Sequence, residues 1–419
     1  MRILIATAGS RGDVAPFVGL GRRLAGAGFT VALATHTAFE PAVRSAGLEF
    51  RALPVDPRTE LASPGGQRLL SSGGPLAVAQ LLRLGRRSMP QLALGVLDAV
   101  RQGADLVLLS TTTAPLGQVA AEALGLPSAG VYLQPLAPTG EFPPVIAGSS
   151  RSLGRHGNRA AAGAAHLALD RLFAPAVHQL RDHLGLPSAS AGRLRRRHAR
   201  QGWPVFHGFS PSVVPRPADW AAAARVSGYW WPHESADWQP PARLAAFLAA
   251  GPPPVYVGFG SLVVADTQAL SRTVAAGLRA ARLRAVVQSG WTGLRLDGPG
   301  ILAVDEVPHS WLFPRMAAVV HHAGAGTTGA GLRAGVPAVP VPAQLDATFW
   351  AARLTALQVS PGPLPLRELS APRLAAALRR AVDNPLHRRQ AQHLAARIAA
   401  EDGAADVLRF AERIAATRR

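Results

Sequence analysis

Short apolar runs and apolar residues at helical spacing alternate along the first part of the chain. Residues 2–7 form an apolar run, a turn with Gly9 and Gly12 follows, and residues 14–25 carry apolar side chains at helical spacing. The same alternation predicts strands at 30–34, 106–110 and 128–133 and helices at 37–46 and 115–124. Such a pattern is typical of a parallel sheet with helices on both faces.

The pattern is interrupted after residue 135 and begins again near residue 254. Pro-rich loops precede two predicted helices at 160–173 and 175–184, and a segment dense in Trp and Pro ends at 241. The second series has predicted strands at 254–259, 284–288, 317–321 and 338–341 and helices at 267–280 and 327–334. We therefore predict two doubly wound, Rossmann-like α/β domains that face a central cleft, with ligands at the carboxyl ends of the strands.

The domain boundaries follow from the same pattern. The first domain is assigned to residues 1–228, the connection to 229–241 and the second domain to 242–395. Residues 396–419 form a predicted helix that could pack back on the first domain. A length of 419 residues supports two domains, because it exceeds what one hydrophobic core usually serves.

Composition narrows the possible classes of function. The sequence has no Cys, which excludes disulfides, thiolate metal sites and a Cys nucleophile. The apolar start meets Arg11 and Asp13 too early for a signal peptide, and no run of about 18 apolar residues could span a membrane. A cytoplasmic location is expected.

The chain is strongly basic. Its net charge is +19, and because no Lys occurs, all 44 basic residues are Arg. Such a charge attracts anions, nucleotides among them. Only 6% of residues are aromatic and no Arg-rich helix is interleaved with aromatics, so a nucleic-acid partner is not expected. The densest basic cluster is predicted to be a solvated face, with acceptor or surface binding as the alternative; it comprises Arg193, Arg195, Arg196, Arg197 and Arg200.

The strongest local signal lies at residues 319–329. A predicted strand ends in His321 and His322, a Gly-rich turn follows, and a helix opens at Thr327 and Thr328. Free backbone N–H groups and the positive end of the helix dipole would converge there, which predicts a phosphate site. Successive side chains of a strand point to opposite faces, so the two histidines are not expected to share a metal ion. A strand-to-helix turn capped by Thr is the alternative.

The same turn also matches a dinucleotide-binding pattern. Gly324, Gly326 and Gly329 have the spacing G-x-G-x-x-G, and Asp346 lies about 20 residues later. The motif follows a late strand of the second series instead of its first strand, and the pattern does not explain paired histidines. A nicotinamide or flavin enzyme is therefore the weaker interpretation.

Several motifs together resemble one known family. The stretch 321–328, followed by Gly-Val-Pro at 335–337, Pro342 and Asp346, resembles the donor-binding signature of the bacterial antibiotic and sterol glycosyltransferases with the GT-B fold. Segments 9–14, 257–262, 289–291 and 307–309 resemble the same family, so the likeness covers nearly the whole chain in order. The resemblance implies a first domain that binds an acceptor and a second domain that binds a nucleoside diphosphate sugar.

The resemblance also implies roles for single residues of the second domain. His322 and the two threonines would hold the diphosphate, Ser261 would contact it, and Asp346 would bind sugar hydroxyls. Trp291 and Val307 would border the base. The implied donor-binding set is Ser261, Trp291, Val307, His322, Gly324, Ala325, Gly326, Thr327, Thr328, Asp346 and Ala347. For Trp291 and Ser261, simple packing and helix capping are the alternatives.

Asp13 is the candidate catalytic base. It lies in the first strand-to-helix loop with Ser10, Arg11 and Gly12, and in the resembling family the matching Asp deprotonates the acceptor hydroxyl. Attack on an anomeric carbon needs such a proton acceptor while the diphosphate leaves. Capping of the first helix is the alternative role, and the two are compatible. His36 could assist from the same rim, although a lone His in a loop is more often solvent-exposed.

Two positions depart from the family pattern. Ala323 stands where Gly is usual, a change that a right-handed backbone conformation would accommodate. Ala347 stands where a Gln that hydrogen-bonds the donor sugar is expected, and Gln344 is the nearest amide in the sequence. The departure predicts a donor other than ordinary UDP-glucose.

The leading hypothesis from the sequence is an inverting glycosyltransferase that uses a UDP- or TDP-sugar and a small-molecule acceptor such as a natural product. No metal or other cofactor is expected, and the oligomeric state is predicted as monomer or homodimer. A catalytically silent nucleotide-binding partner protein and a sugar-nucleotide epimerase are the alternatives. The acceptor would be selected by residues 135–200, whose composition does not identify it.

Overall fold

The first sheet of the protein has seven strands, all of them parallel. The computed structural model describes residues 1–54, 74–235, 237–343 and 346–418, and of residues 74–87 only the backbone. The strands follow the spatial order β3-β2-β1-β4-β5-β6-β7. They are β1 (Arg2–Ala6), β2 (Thr30–His36), β3 (Glu49–Leu53), β4 (Leu106–Leu109), β5 (Ser128–Tyr132), β6 (Val205–His207) and β7 (Ala224–Val226).

Helices cover both faces of this sheet. Side chains alternate between the faces of a strand, so Leu4 of β1 packs into one buried cluster while Ile3 and Ile5 pack into the other. The helices of this domain are α1 (Arg11–Ala25), α2 (Glu40–Ser45), α3 (Gly74–Arg101), α4 (Ala114–Ala123), α5 (Gly154–His183) and α6 (Ala191–Arg200). Short 3-10 helices lie at Thr37–Phe39 and Val145–Ala147.

The second sheet repeats the arrangement with five parallel strands in the order β10-β9-β8-β11-β12. They are β8 (Val255–Gly258), β9 (Ala285–Gln288), β10 (Ile301–Val304), β11 (Val319–His321) and β12 (Ala338–Pro340). The helices of this half are α7 (Ala242–Ala249), α8 (Thr267–Ala281), α9 (His309–Leu312), α10 (Ala325–Arg333), α11 (Ala347–Ala356), α12 (Ala371–Asp383) and α13 (Pro385–Ala399). Two parallel α/β domains confirm the predicted fold class, the GT-B architecture.

Each sheet has one point where the strand order changes direction. β1 pairs with β2 on one side and β4 on the other, and β8 pairs with β9 and β11 in the same way. In each sheet the loops that follow the two neighbouring central strands, β1 and β4 or β8 and β11, run in opposite directions. A crevice opens between these loops at the carboxyl ends of the strands. The loops after β1, β4, β8 and β11 therefore mark the two places where ligands of this architecture bind.

The two domains share a buried cluster and are linked by two crossings of the chain. Phe209 and Val213 of the first domain pack with Trp350 of the second, and Arg353 donates to the Val213 carbonyl at 2.7 Å. The described residues of 229–241 contain neither helix nor strand. The return crossing, residues 400–404, leads into helix α14 (Ala405–Ala416), whose buried residues join the core of the first domain.

The two crossings contact each other directly. The indole nitrogen of Trp230 donates to the carbonyl of Gly403 at 2.8 Å. A Cβ at position 403 would lie 2.3 Å from the carbonyl oxygen of Tyr229, so only glycine fits between the two segments.

The structure adds four strands to those predicted. β6 and β7 have three residues each, too short for a visible period. In β3 the pattern is hidden by Arg51, whose buried guanidinium donates to the carbonyls of Ala99 and Gly103. β10 is half-buried throughout and shows neither alternation nor full burial.

One predicted helix boundary is wrong. Residues 160–173 and 175–184 form one helix, α5, although Pro175 lies inside it. Phe173, Ala176, Val177 and Leu180 on either side of the proline are buried in the same cluster, and this packing offsets the missing backbone hydrogen bond.

The Arg-rich cluster lies on α6. Arg195 pairs with Asp170, and Arg197 pairs with Glu122, each at 2.9 Å or less. Arg193, Arg196 and Arg200 are exposed. The cluster is therefore a helix face that is partly paired and partly solvated, as predicted. No helix in the described parts of the chain is long and apolar enough to cross a membrane.

Candidate active site between the two domains

Asp13 lies in the first turn of α1, directly after the loop that leaves β1. Its Oδ2 accepts hydrogen bonds from the backbone N–H of Ser10 at 2.8 Å and from the Ser10 hydroxyl at 2.9 Å. Burial raises the pKa of this carboxyl, and the two Ser10 hydrogen bonds oppose the rise. The side chain is thus both a helix cap and a carboxylate with increased basicity.

The loop before Asp13 has no space for a side chain at position 9. Gly9 has a φ of +153°, and a Cβ there would lie 2.5 Å from Oδ2 of Asp13. Its backbone N–H donates to Nε2 of His36 at 2.9 Å. His36 is the last residue of β2 and only 2% exposed, so the expectation of an exposed loop histidine is wrong. The His36 ring therefore supports the loop through the hydrogen bond that its Nε2 accepts from Gly9.

Asp13 faces a small pocket of about 180 Å³ at the crevice between β1 and β4. The pocket is lined by Thr7, Ala8, Asp13, Phe17, Ser110, Thr111, Thr112, Leu133 and Gln134. Ser10 is half-buried, whereas Arg11 and Gly12 are exposed. Arg11 forms an ion pair with Glu306 of the second domain, so the base loop contacts the opposite side of the cleft.

In the second domain, α10 begins at the turn predicted to hold a phosphate. Gly324 is the N-cap residue, with φ −70° and ψ 150°, and no side chain caps the helix. The N–H of Thr328 bonds to the Gly324 carbonyl, which leaves the preceding N–H groups of Ala325, Gly326 and Thr327 at the open end of the helix. Gly326 is exposed, and Ala325 and Thr327 are half-buried. These amides form a site for an anion.

His322 lies between two glycines from separate loops. A Cβ at Gly260 would come within 2.7 Å of the ring, and one at Gly324 within 2.5 Å. Burial lowers the pKa of His322 to about 4, so the ring is neutral at pH 7 and offers one N–H. Its Nδ1 is buried without a hydrogen-bond partner in the described chain. Thr328 likewise has a buried hydroxyl that lacks a partner there.

The backbone at Ala323 contradicts the sequence interpretation. Ala323 has a φ of +63°, in the left-handed region, whereas a right-handed conformation was expected. Its N–H donates to Nδ1 of His321 at 3.1 Å, and its methyl group is fully buried between the domains. The contacts hold alanine in a conformation that favours glycine by about 1–2 kcal/mol.

The remaining donor-site candidates lie around the same crevice. Ser261 is half-buried in the loop after β8. The backbone N–H of Trp291 donates to the Gly260 carbonyl at 2.8 Å, which joins the loops after β8 and β9. The side chain of Val307 is 6% exposed and packs with Tyr256 in the core.

Asp346 directly precedes α11, and its carboxyl faces the first domain. Its Oδ2 accepts a hydrogen bond from the indole nitrogen of Trp350 at 3.0 Å. Burial, first, and the neighbouring charge of Asp13 raise its pKa to about 6. The sequence-predicted base and sugar-binding carboxylate therefore lie close enough to interact electrostatically. Ala347 is 5% exposed and buried in the interdomain cluster, and Gln344 lies outside the described residues.

An apolar groove of about 230 Å³ lies next to the Asp13 pocket. It lies between α5 and the short helix at Val145–Ala147 and is lined mainly by Leu136, Pro144, Val145, Ile146, Ala162 and Leu169. Leu136 of the groove is two residues after Gln134 of the Asp13 pocket, so the Cα atoms of these two lining residues are at most about 7 Å apart.

The sequence analysis missed part of this site. Gln134 and the segment Ser110–Thr112 were not identified, although they lie at the carboxyl ends of two predicted strands of the first sheet. The rule that ligands bind at the carboxyl ends of parallel strands could have found them. Glu306 could not be found this way, because its partner Arg11 lies in the other domain.

Comparison with known protein families agrees with the architecture. Residues 3–129 match the glycosyltransferase family 28 N-terminal domain. Residues 291–414 match the erythromycin biosynthesis protein CIII-like C-terminal domain. The matches fall on the two halves of the chain in the order that the fold requires.

Individual relatives are similar over the whole chain. The O-mycaminosyltylonolide 6-deoxyallosyltransferase of Streptomyces fradiae is 37% identical, with 100% of this chain and 98% of that protein covered. The sterol 3-beta-glucosyltransferase of Arabidopsis thaliana is 32% identical over 98% of this chain, which spans 65% of that protein. The chain spans 29% of the sterol 3-beta-glucosyltransferase of Neosartorya fischeri.

Solved structures share the fold. The glycotransferase of kitacinnamycin superposes with a TM-score of 0.71 at 19% identity, covering 99% of this chain and 98% of that one. A Streptomyces sp. SF2575 glycosyltransferase complexed with thymidine diphosphate has a TM-score of 0.64 at 25% identity, with 99% of each chain covered. From its full-length similarity to the Streptomyces fradiae protein, the chain belongs to the antibiotic- and sterol-type glycosyltransferases of the GT-B fold.

Proposed function

We propose that the protein is an inverting glycosyltransferase that transfers a sugar from a nucleoside diphosphate to a hydroxyl of an apolar small molecule. The observation that carries this proposal is the approach of Asp13 and Asp346 across the cleft, close enough for each charge to affect the other. A base at the first crevice and a sugar-binding carboxylate at the second would hold the acceptor hydroxyl beside the anomeric carbon, which is the arrangement that direct displacement needs.

In the proposed reaction, Asp13 accepts the proton of the acceptor hydroxyl while that oxygen attacks the anomeric carbon. The bond from the anomeric carbon to the diphosphate oxygen breaks, and the electron pair leaves with the diphosphate. The N–H groups at the start of α10 and the neutral ring of His322 stabilise the developing negative charge. One displacement inverts the anomeric centre. Because these donors can neutralise the leaving group, we propose that no metal ion is needed.

The donor is proposed to be a TDP-linked deoxysugar. A relative that is 37% identical is a 6-deoxyallosyltransferase, and a structural neighbour was solved with thymidine diphosphate. Ala347 carries no group that could hydrogen-bond a sugar, and its methyl group is buried. The acceptor hydroxyl would lie at Asp13 with its apolar body in the groove along α5, whose lining is almost entirely aliphatic.

A nucleotide panel followed by donor kinetics tests the proposal. TDP and UDP should each raise the melting temperature, whereas NAD should not, because a ligand that binds only the folded state stabilises it. Transfer to a macrolide or sterol panel should require no metal and should survive chelation. Tight NAD binding would overturn the donor site, and nucleotide binding without transfer would favour a silent partner protein. UDP-glucose as the best donor of a broad panel would contradict the deoxysugar assignment.

A further inference from the structure

Gln134 lies where the acceptor and donor sites meet. It lies two residues after the end of β5, and its backbone carbonyl accepts a hydrogen bond from the N–H of Leu136 at 3.0 Å, which turns the chain toward the apolar groove. Its half-buried side chain lines the pocket that contains Asp13.

The side chain of Gln134 also reaches the opposite domain. Its amide lies close enough to the carboxyl of Asp346 to act as a donor that lowers the pKa of that group, and the same carboxyl accepts a hydrogen bond from Trp350. The contact joins the end of a strand in the first sheet to the start of α11 in the second. One uncharged side chain therefore lies beside both carboxyl groups of the cleft.

A sugar hydroxyl both donates and accepts hydrogen bonds, and a carboxylate can only accept. Asp346 and Asp13 can therefore receive hydrogens from a sugar but cannot donate to its oxygens. The carboxamide of Gln134 can do both, and Ala347, at the start of α11, can do neither.

We propose that Gln134 is a specificity-determining residue for the donor sugar. Its amide, supplied by the first domain, shares with Asp346 the binding of a hydroxyl of the transferred sugar. The inference rests on the proposed function. It predicts that both domains determine which sugar is selected. A substitution in the first domain should therefore change sugar selection without changing nucleotide affinity.

Two variants, Gln134→Ala and the nearly isosteric Gln134→Met, test this with a donor pair that differs in one sugar hydroxyl. For the donor that bears the contacted hydroxyl, kcat/KM should fall about 10-fold, as expected for one uncharged hydrogen bond. For the deoxy analogue it should change less than about 2-fold, and TDP affinity should match the parent. The pH profile gives a second readout: loss of the amide hydrogen bond should move the acid limb to higher pH, because that bond lowers the pKa of Asp346.

Gln201→Ala, at an exposed position after α6, is the matched control and should alter neither quantity. Adding Ala347→Gln to Gln134→Ala tests for replacement of the lost amide and should restore part of the discrimination. Equal losses for every donor, or no loss in Gln134→Met, would overturn the assignment. A parent enzyme that binds TDP but transfers nothing would instead overturn the proposed function, so the two failures are distinguishable.

Discussion

The crevice of the first domain and that of the second are built from the same topology but leave their polar groups in different states. After β1, the carboxyl of Asp13 and the ring of His36 hydrogen-bond to their own loop, at Ser10 and Gly9. After β11, the Nδ1 of His322 and the hydroxyl of Thr328 are buried without partners in the described chain.

The difference matches what each site has to do. A catalytic base must keep the same geometry before and after proton transfer. A loop whose own groups hydrogen-bond to the base is suitable for this purpose. A phosphate site gains most when its donors are not already paired, because an unpartnered buried polar group costs about 1–3 kcal/mol that a ligand can recover. The comparison predicts that substitutions in the first loop affect rate, whereas those in the second affect binding.

The largest effect is expected for Asp13→Asn. The amide oxygen of Asn can still accept the Ser10 hydrogen bonds that cap α1, so the fold is retained while the base is lost. The rate constant kcat should fall by about 10²–10⁴-fold with nucleotide affinity unchanged. Single-turnover kinetics and TDP-induced stabilisation measure the two quantities. Retention of more than about a tenth of the parental rate would leave Asp13 a helix cap only.

A weaker but still large effect is expected for His322→Ala. Loss of one hydrogen bond to a charged phosphate should weaken TDP binding by about 10–100-fold. Calorimetric titration measures it, with the exposed His393→Ala as control. Gly260→Ala should act in the same direction, because its Cβ would displace the His322 ring. Unchanged TDP affinity in both variants would contradict the prediction that substitutions in the second crevice affect binding.

The next effect concerns stability and pH. Burial raises the pKa of Asp346 to about 6 from an unfolded value of 3.8, so protonation favours the folded state. That stabilisation is complete below pH 3.8 and is lost as the pH rises through 6. Asp346→Asn is neutral at every pH and should therefore be about 3 kcal/mol more stable than the parent at pH 8, with most of this difference lost near pH 4. Denaturant titrations of the ligand-free proteins at both pH values provide the measurement. A constant difference would show that the carboxyl is not responsible.

The smallest effect is expected at Ala323. Ala323→Gly relieves the left-handed conformation but removes a buried methyl group and adds freedom to the unfolded chain. These terms nearly cancel, so the free energy of unfolding should change by less than about 1 kcal/mol. The midpoint of chemical unfolding reports it. A loss of several kcal/mol would mean that the methyl group is essential to the interdomain cluster.

Local signals were enough to predict much of the fold. The apolar strands β1, β2, β4 and β8 were found because each is buried on both faces and bounded by turns. β6 and β7 were not, because three residues carry no period and their pairing depends on a sheet already formed. The order of the strands within each sheet could not be predicted from local sequence pattern either, although this order decides where the two crevices open.

The positions of Asp13 and His322 after the ends of β1 and β11 could be predicted, because each comes soon after its strand in the sequence. The site could not be predicted where the relevant contact joins distant segments. Gln134 meets Asp346 only after both domains have folded, and no spacing in the sequence encodes that contact. The prediction of a right-handed conformation at Ala323 was wrong for a related reason, because tertiary packing and not local preference sets the φ of this residue.

The contact between Trp230 and Gly403 also has a mechanical consequence. Because both crossings of the chain meet at one place, the domains have a common pivot and not two independent tethers. We expect the two domains to move by a hinge rotation about this point, because a translation of one domain past the other would separate the two crossings. We therefore expect a side chain at position 403, which lies outside both crevices, to change the relative orientation of the two domains.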